Sequence, residues 1–96
     1  MNLEIKAVHF ELPDDYKEML EKKIHRIDFA QDMIVDCLIT ITKEREYVVE
    51  ATLNMRWGHS HHFRVPGFEL RDSIDKLFDK IDQKVAKEKD KIKSHG

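Results

Sequence analysis

The sequence has one cysteine, Cys37, three glycines and two prolines. A lone cysteine excludes an intrachain disulfide and fits a reducing compartment. The glycines, Gly58, Gly67 and Gly96, are not grouped, so there is no glycine-rich loop to cradle phosphate. No apolar run approaches the ~18 residues of a membrane span, and the opening MNLEIKAVHFE is too short and too charged for a secretory signal. A cytoplasmic protein with no membrane partner is expected. Net charge is nearly absent: 17 Lys and Arg stand against 19 Asp and Glu, leaving −2. A uniformly basic nucleic-acid binder is thereby excluded, and any polyanion site must be a local patch.

What is present is periodicity. The 96 residues make one domain, 41% hydrophobic and 38% charged, able to bury one modest core. The strongest pattern fills the last quarter, residues 69–93. Leu70, Ile74, Leu77, Phe78, Ile81, Val85 and Ile92 fall within roughly 40–60° of one direction at helical spacing, an amphipathic stripe. Asp72, Asp75, Asp79, Asp82 and Asp90 lie on one flank of it, and Lys76, Lys80, Lys84, Lys87 and Lys91 on the other. Five lysines along about 22 Å of helix suit a polyanion. They suit a solvated face equally well, and the pattern alone leaves both readings open.

Upstream, Asn2–Val8 alternates as a half-buried strand with Leu3, Ile5 and Ala7 on one side. Pro13, Asp14 and Asp15 open a helix that should run to about Ile27, with Tyr16, Met19, Leu20, Ile24 and Ile27 inward. Lys22, Lys23 and Arg26 gather on one edge of it. Residues 28–32 read as a loop. From residue 33 to 43 the period becomes two, with Val35, Cys37, Ile39 and Ile41 inward. A charged turn at 44–46 precedes a strand over 47–57, with Val49, Ala51, Leu53, Met55 and Trp57 inward. Gly58 turns the chain into a fourth strand over 59–65, which Pro66-Gly67 should stop. The prediction is an α+β fold in the order strand, helix, three strands, helix. Both helices cover one face of a four-stranded sheet, and the polar positions of the other face meet solvent.

Chemistry is sparse. His59 and His61, two apart on a strand, share a face, but a metal site needs further ligands and none converge in the sequence. His62 adjoins them without a clear role. Cys37 lies mid-strand between apolar residues as a core residue rather than a thiolate. Ser60 and Ser73 lack a nucleophile elbow. The reading is not an enzyme, with no metal, cofactor or small-molecule substrate. The basic groups differ because they are collected. If the helices lie side by side, the edge carrying Lys22, Lys23 and Arg26 and the lysine stripe border a common groove for backbone phosphate, with RNA read by shape.

The element order, Val-Glu-Ala-Thr-Leu at 49–53, Ser-Ile-Asp-Lys-Leu-Phe-Asp-Lys-Ile at 73–81 and Lys-Glu-Lys-Asp-Lys-Ile-Lys at 87–93 resemble the short bacterial ribosome hibernation-promoting factors, also called ribosome-associated inhibitors. The resemblance covers nearly the whole chain. It implies a double-stranded-RNA-binding-domain-like fold lodged on small-subunit ribosomal RNA over the messenger and transfer RNA sites, blocking translation by occupancy when growth slows. Family basic positions match at Lys23, Arg26, Lys80, Lys87, Lys89 and Lys91, while Lys76 and Lys84 come from the stripe alone. The chain departs from the family at Arg71, where an aromatic is usual, at Gln83, where a base is frequent, and across 56–65, which carries a one-residue insertion. Ending at Gly96, it is expected to lack the C-terminal dimerisation domain of long members and to be a monomer when free. The alternative is a protein-interaction regulator of the sigma-factor modulation type on the same fold.

Overall fold

The computed structural model describes the backbone of residues 1–95 and the side chains of residues 1–91. Strands β1 (Asn2–Val8), β2 (Ile34–Lys43), β3 (Tyr47–Met55) and β4 (Ser60–Gly67) form one sheet in the order β1-β2-β3-β4. Helix α1 (Asp14–Lys23) and a 3-10 segment (Ile24–Met33) connect β1 to β2, and α2 (Leu70–His95) closes the chain. The expected α+β architecture is the one observed. β1 pairs with β2 in parallel, as a helical crossover permits, and the β2–β3 and β3–β4 pairs are antiparallel.

One core holds the molecule together. Leu20 and Ile24 join Cys37, Ile39 and Ile41 of β2 and Val49, Ala51, Leu53 and Met55 of β3, under Leu70, Ile74, Leu77, Phe78, Ile81 and Val85 of α2. The apolar stripe of α2 is thus buried as its spacing requires, although Ile92, its last member, lies outside the described side chains. α2 runs antiparallel along the edge strand β4. At one end, the Cβ that Gly67 lacks would sit 2.3 Å from Ser73 Oγ, so any larger residue there would have to turn the Ser73 hydroxyl aside. At the other end, His61 Nε2 is 3.7 Å from Glu88 Oε1. Six strand steps span about 20 Å and fifteen helical steps about 22 Å, so the two elements keep pace over this length.

Four local expectations need correction. α1 ends at Lys23, not near Ile27, and the presumed loop is 3-10 turns interrupted at Ala30 (φ −125°). The cause is legible: Ile24, Ile27, Ala30 and Met33 are all buried and recur every third residue, the period of a 3-10 turn. Val35 does not face the core. A bulge between Ile34 and Asp36 turns Ile34 inward (1% exposed) and Val35 outward (49%), because one extra residue reverses the alternation. Trp57 is not inward either, because β3 ends at Met55. Finally, Pro66 and Gly67 lie within β4, paired with Val48 and Tyr47. An edge strand can place proline's missing N–H on its unpaired side.

Cys37 is fully buried, and burial, assisted by the Asp36 carboxylate, pushes its thiol up to about 12. The native thiol should therefore resist alkylation at pH 8, reacting only as fast as the chain unfolds. Rapid labelling without denaturant would contradict this burial. The proton count gives the pH dependence: above the thiol's unfolded pKa the unfolded chain holds fewer protons. Stability from this group therefore falls as pH rises from about 9 toward 12.

Candidate nucleic-acid interface

With its apolar stripe down on the sheet, α2 displays the two charged flanks on opposite sides. The acidic flank faces α1. Lys23 Nζ lies 2.5 Å from Asp75 Oδ1. Arg26 donates through Nε (2.9 Å) and Nη2 (2.5 Å) to Asp82 Oδ2, and through Nη2 (3.0 Å) to Asp79 Oδ1. These bonds make the guanidinium harder to deprotonate. Hydrogen bonding to Asp79 is the largest cause, partial desolvation opposes it, and Asp82 adds to it. A fork bridging two carboxylates is well matched to arginine and less so to lysine. The expected common groove is therefore absent: the edge of α2 that meets α1 and the 3-10 segment is its acidic flank, and ion pairs tie Lys23 of α1 and Arg26 of the 3-10 segment to it.

Lys89 also turns to this side. Its Nζ donates to the Phe29 carbonyl and stands 5.5 Å over the Phe29 ring, tying the end of α2 to the 3-10 segment. Lys22 is exposed, beside a shallow depression that Asp15, Glu18, Arg71 and Asp75 share. Of the nine basic residues singled out in the sequence, these four (Lys22, Lys23, Arg26 and Lys89) are set apart from the rest.

The remaining five form a row on the opposite flank. Lys76 is 3.2 Å from Asp72 in an open surface pair, which contributes little. Lys84 approaches Glu88 at 3.8 Å. Lys80 and Lys87 are exposed and make no ion pair among the described residues. Lys91, exposed, ends the row. The sorting of charge along α2 thus has two separate causes. Its acidic half clamps the end of α1 and the 3-10 segment and so belongs to the fold. On its lysine half, Lys80 and Lys87 play no such part, since neither forms an ion pair among the described residues.

The histidines separate. His61 faces α2 and its Nε2 is buried without a hydrogen bond, whereas His62 lies on the other face, its Nδ1 3.1 Å from Thr52 Oγ1. His59 stands in the exposed turn. Among the described residues no group of three or more His, Cys, Asp or Glu is placed to hold a metal. None of the helices among them is long and apolar enough to cross a membrane. Arg64, on the solvent face of the sheet 3.7 Å from Glu50, was not singled out in the sequence. Only its register across from Glu50 draws attention to it.

The family described as "Sigma 54 modulation protein / S30EA ribosomal protein" matches residues 3–93. The chain belongs to this family. Its relatives include the ribosome hibernation promoting factors of Escherichia coli K12, 27% identical over 96 residues, and of Salmonella typhimurium, 25% identical. Each alignment covers 99% of this chain and 100% of the relative. Among solved structures, a ribosomal subunit interface protein from Coxiella burnetii superposes with a TM-score of 0.84 at 21% identity, covering 93% of this chain and 98% of that one. The N-terminal domain of Protein Y from Thermus thermophilus gives 0.77 at 21% identity, covering 88% and 96%. At such identities the structures speak to the fold, and they share it. Members of the family are binding proteins rather than enzymes.

Proposed function

We propose that this chain is a cytoplasmic ribosome hibernation factor. It binds small-subunit ribosomal RNA in the messenger and transfer RNA channel and stops translation by occupying it. The observation that carries this reading is the lysine row of α2, displayed on the flank away from the carboxylates that occupy Lys23 and Arg26. Five ammonium groups along about 22 Å of a rigid helix track a phosphate backbone by position and charge, without reading bases. Membership of a family whose curated relatives are named ribosome hibernation promoting factors directs that row to ribosomal RNA. Within this reading Lys80 and Lys87 meet phosphate first, joined along the row by Lys91 and by Lys76 and Lys84 as these leave Asp72 and Glu88. Lys22 is available at the far side, and Lys23, Arg26 and Lys89 contribute only by exchanging their present partners for phosphate.

The test is direct. The purified chain should co-sediment with isolated small subunits and halt synthesis in a cell-free translation extract at stoichiometric amounts. Failure to bind small subunits overturns the proposal. Salt-insensitive capture of a protein instead would favour the sigma-factor modulation type of regulator.

A further inference from the structure

We infer that Trp57, at the tip of the β3–β4 hairpin, is a stacking surface for an unpaired RNA base at the end of the lysine row. This rests on the ribosomal-RNA reading above and adds to it a contact with a base rather than with phosphate. The hairpin presents the ring. Gly58 N–H donates to the Met55 carbonyl (3.2 Å) and Met55 N–H to the His59 carbonyl (2.8 Å), so Arg56 and Trp57 occupy the corners of a closed turn. Gly58 completes it at φ +88°, a conformation that favours glycine. Arg56 N–H donates to the Met33 carbonyl (3.0 Å), fastening the turn to the start of β2. Trp57 is 43% exposed on a braced turn, so little backbone ordering is lost when a ligand covers it.

Charge decides what that ligand is. Residues 51–68 contain none of the chain's 19 carboxylates, yet they carry Arg56, Arg64, His59, His61 and His62. Glu50 and Glu88 approach Arg64, His61 and His62 from neighbouring elements. Arg56 and His59, which flank the ring in the turn, form no ion pair among the described residues. An exposed aromatic between them suits a polyanion with flat faces better than a protein surface. Position agrees. The His61–Glu88 approach sets the start of β4 beside the last described turns of α2, next to Lys87 and Lys91. A strand tracking the row therefore reaches the hairpin, where a splayed base can lie on the indole.

Trp57 is the only tryptophan, so intrinsic emission reports this residue alone. Titration with small subunits, and separately with protein-free small-subunit ribosomal RNA, should quench it. Trp57→Ala should weaken binding on the order of ten- to a hundred-fold, with unchanged salt dependence and melting temperature, and Trp57→Phe should recover most of the loss. If the wild type binds subunits while its emission is unmoved and Trp57→Ala binds as tightly, stacking is refuted and the lysine-row reading stands. Quenching by subunits but not by protein-free RNA would assign the ring to a ribosomal protein and also refute it. A wild type that binds neither takes down both.

Discussion

Reversing Lys80 and Lys87 together, as Lys80→Glu with Lys87→Glu, is expected to abolish co-sedimentation with small subunits while leaving the protein folded. The two lysines lie seven residues apart on the exposed flank of α2, about 10 Å along its axis. Neither forms an ion pair among the described residues, so reversal breaks nothing inside the protein. Outside it, two attractions to phosphate become two repulsions. Wild-type affinity through about five phosphates should fall with salt at a log–log slope of roughly −3 to −5. The double variant should lose about two orders of magnitude or more at moderate salt and flatten that slope. Lys6→Glu with Lys17→Glu supplies the same change in total charge elsewhere on the surface, and it should bind nearly as the wild type does. Retained binding by a folded Lys80/Lys87 variant would dismiss the row, and equal loss in the control would reduce it to net charge.

Phe78→Ala is expected to lower thermal stability more than any surface change. Phe78 is fully buried among the side chains that seat α2 on the sheet. Removing an aromatic ring from a packed core costs about 3–5 kcal/mol, against a total of roughly 5–15 kcal/mol for a domain of ordinary stability. The melting temperature should fall by about 15 °C or more for a chain of this size. Phe68, 76% exposed at the foot of the same helix, gives the contrast: Phe68→Ala should shift the transition by no more than a few degrees. Near-wild-type melting of Phe78→Ala would mean that α2 is not anchored through this ring. The two experiments divide the helix by face, since one variant loses binding and keeps its fold while the other loses the fold.

Most of the architecture is written in periods. The alternation of β3 from Val49 to Met55 and the stripe of α2 from Leu70 to Val85 bury the residues their spacing assigns, and β1 half-buries Leu3, Ile5 and Ala7, because one side of each element must leave water. Two of the misplacements, those of Val35 and Trp57, share a cause: a local event breaks the period of a strand. The bulge before Asp36 inverts Val35, and the tight turn at Gly58 leaves Trp57 outside the strand it was assigned to. The three-residue spacing of Ile24, Ile27, Ala30 and Met33 did mark the 3-10 segment, but it competes with a helical reading until the burial is known.

The amino-acid sequence by itself determined the order of elements, the buried stripe of α2 and the segregation of its charges, since these depend only on spacing along the chain. Which charges remain available was decided by tertiary structure. Lys23 and Arg26 look like members of a basic site until the end of α1 and the 3-10 segment after it are laid beside Asp75, Asp79 and Asp82. Lys80 and Lys87 resemble any solvated lysines until the same packing turns them away from those carboxylates. Ion pairing depends on distances between residues more than fifty positions apart, and no local period encodes them.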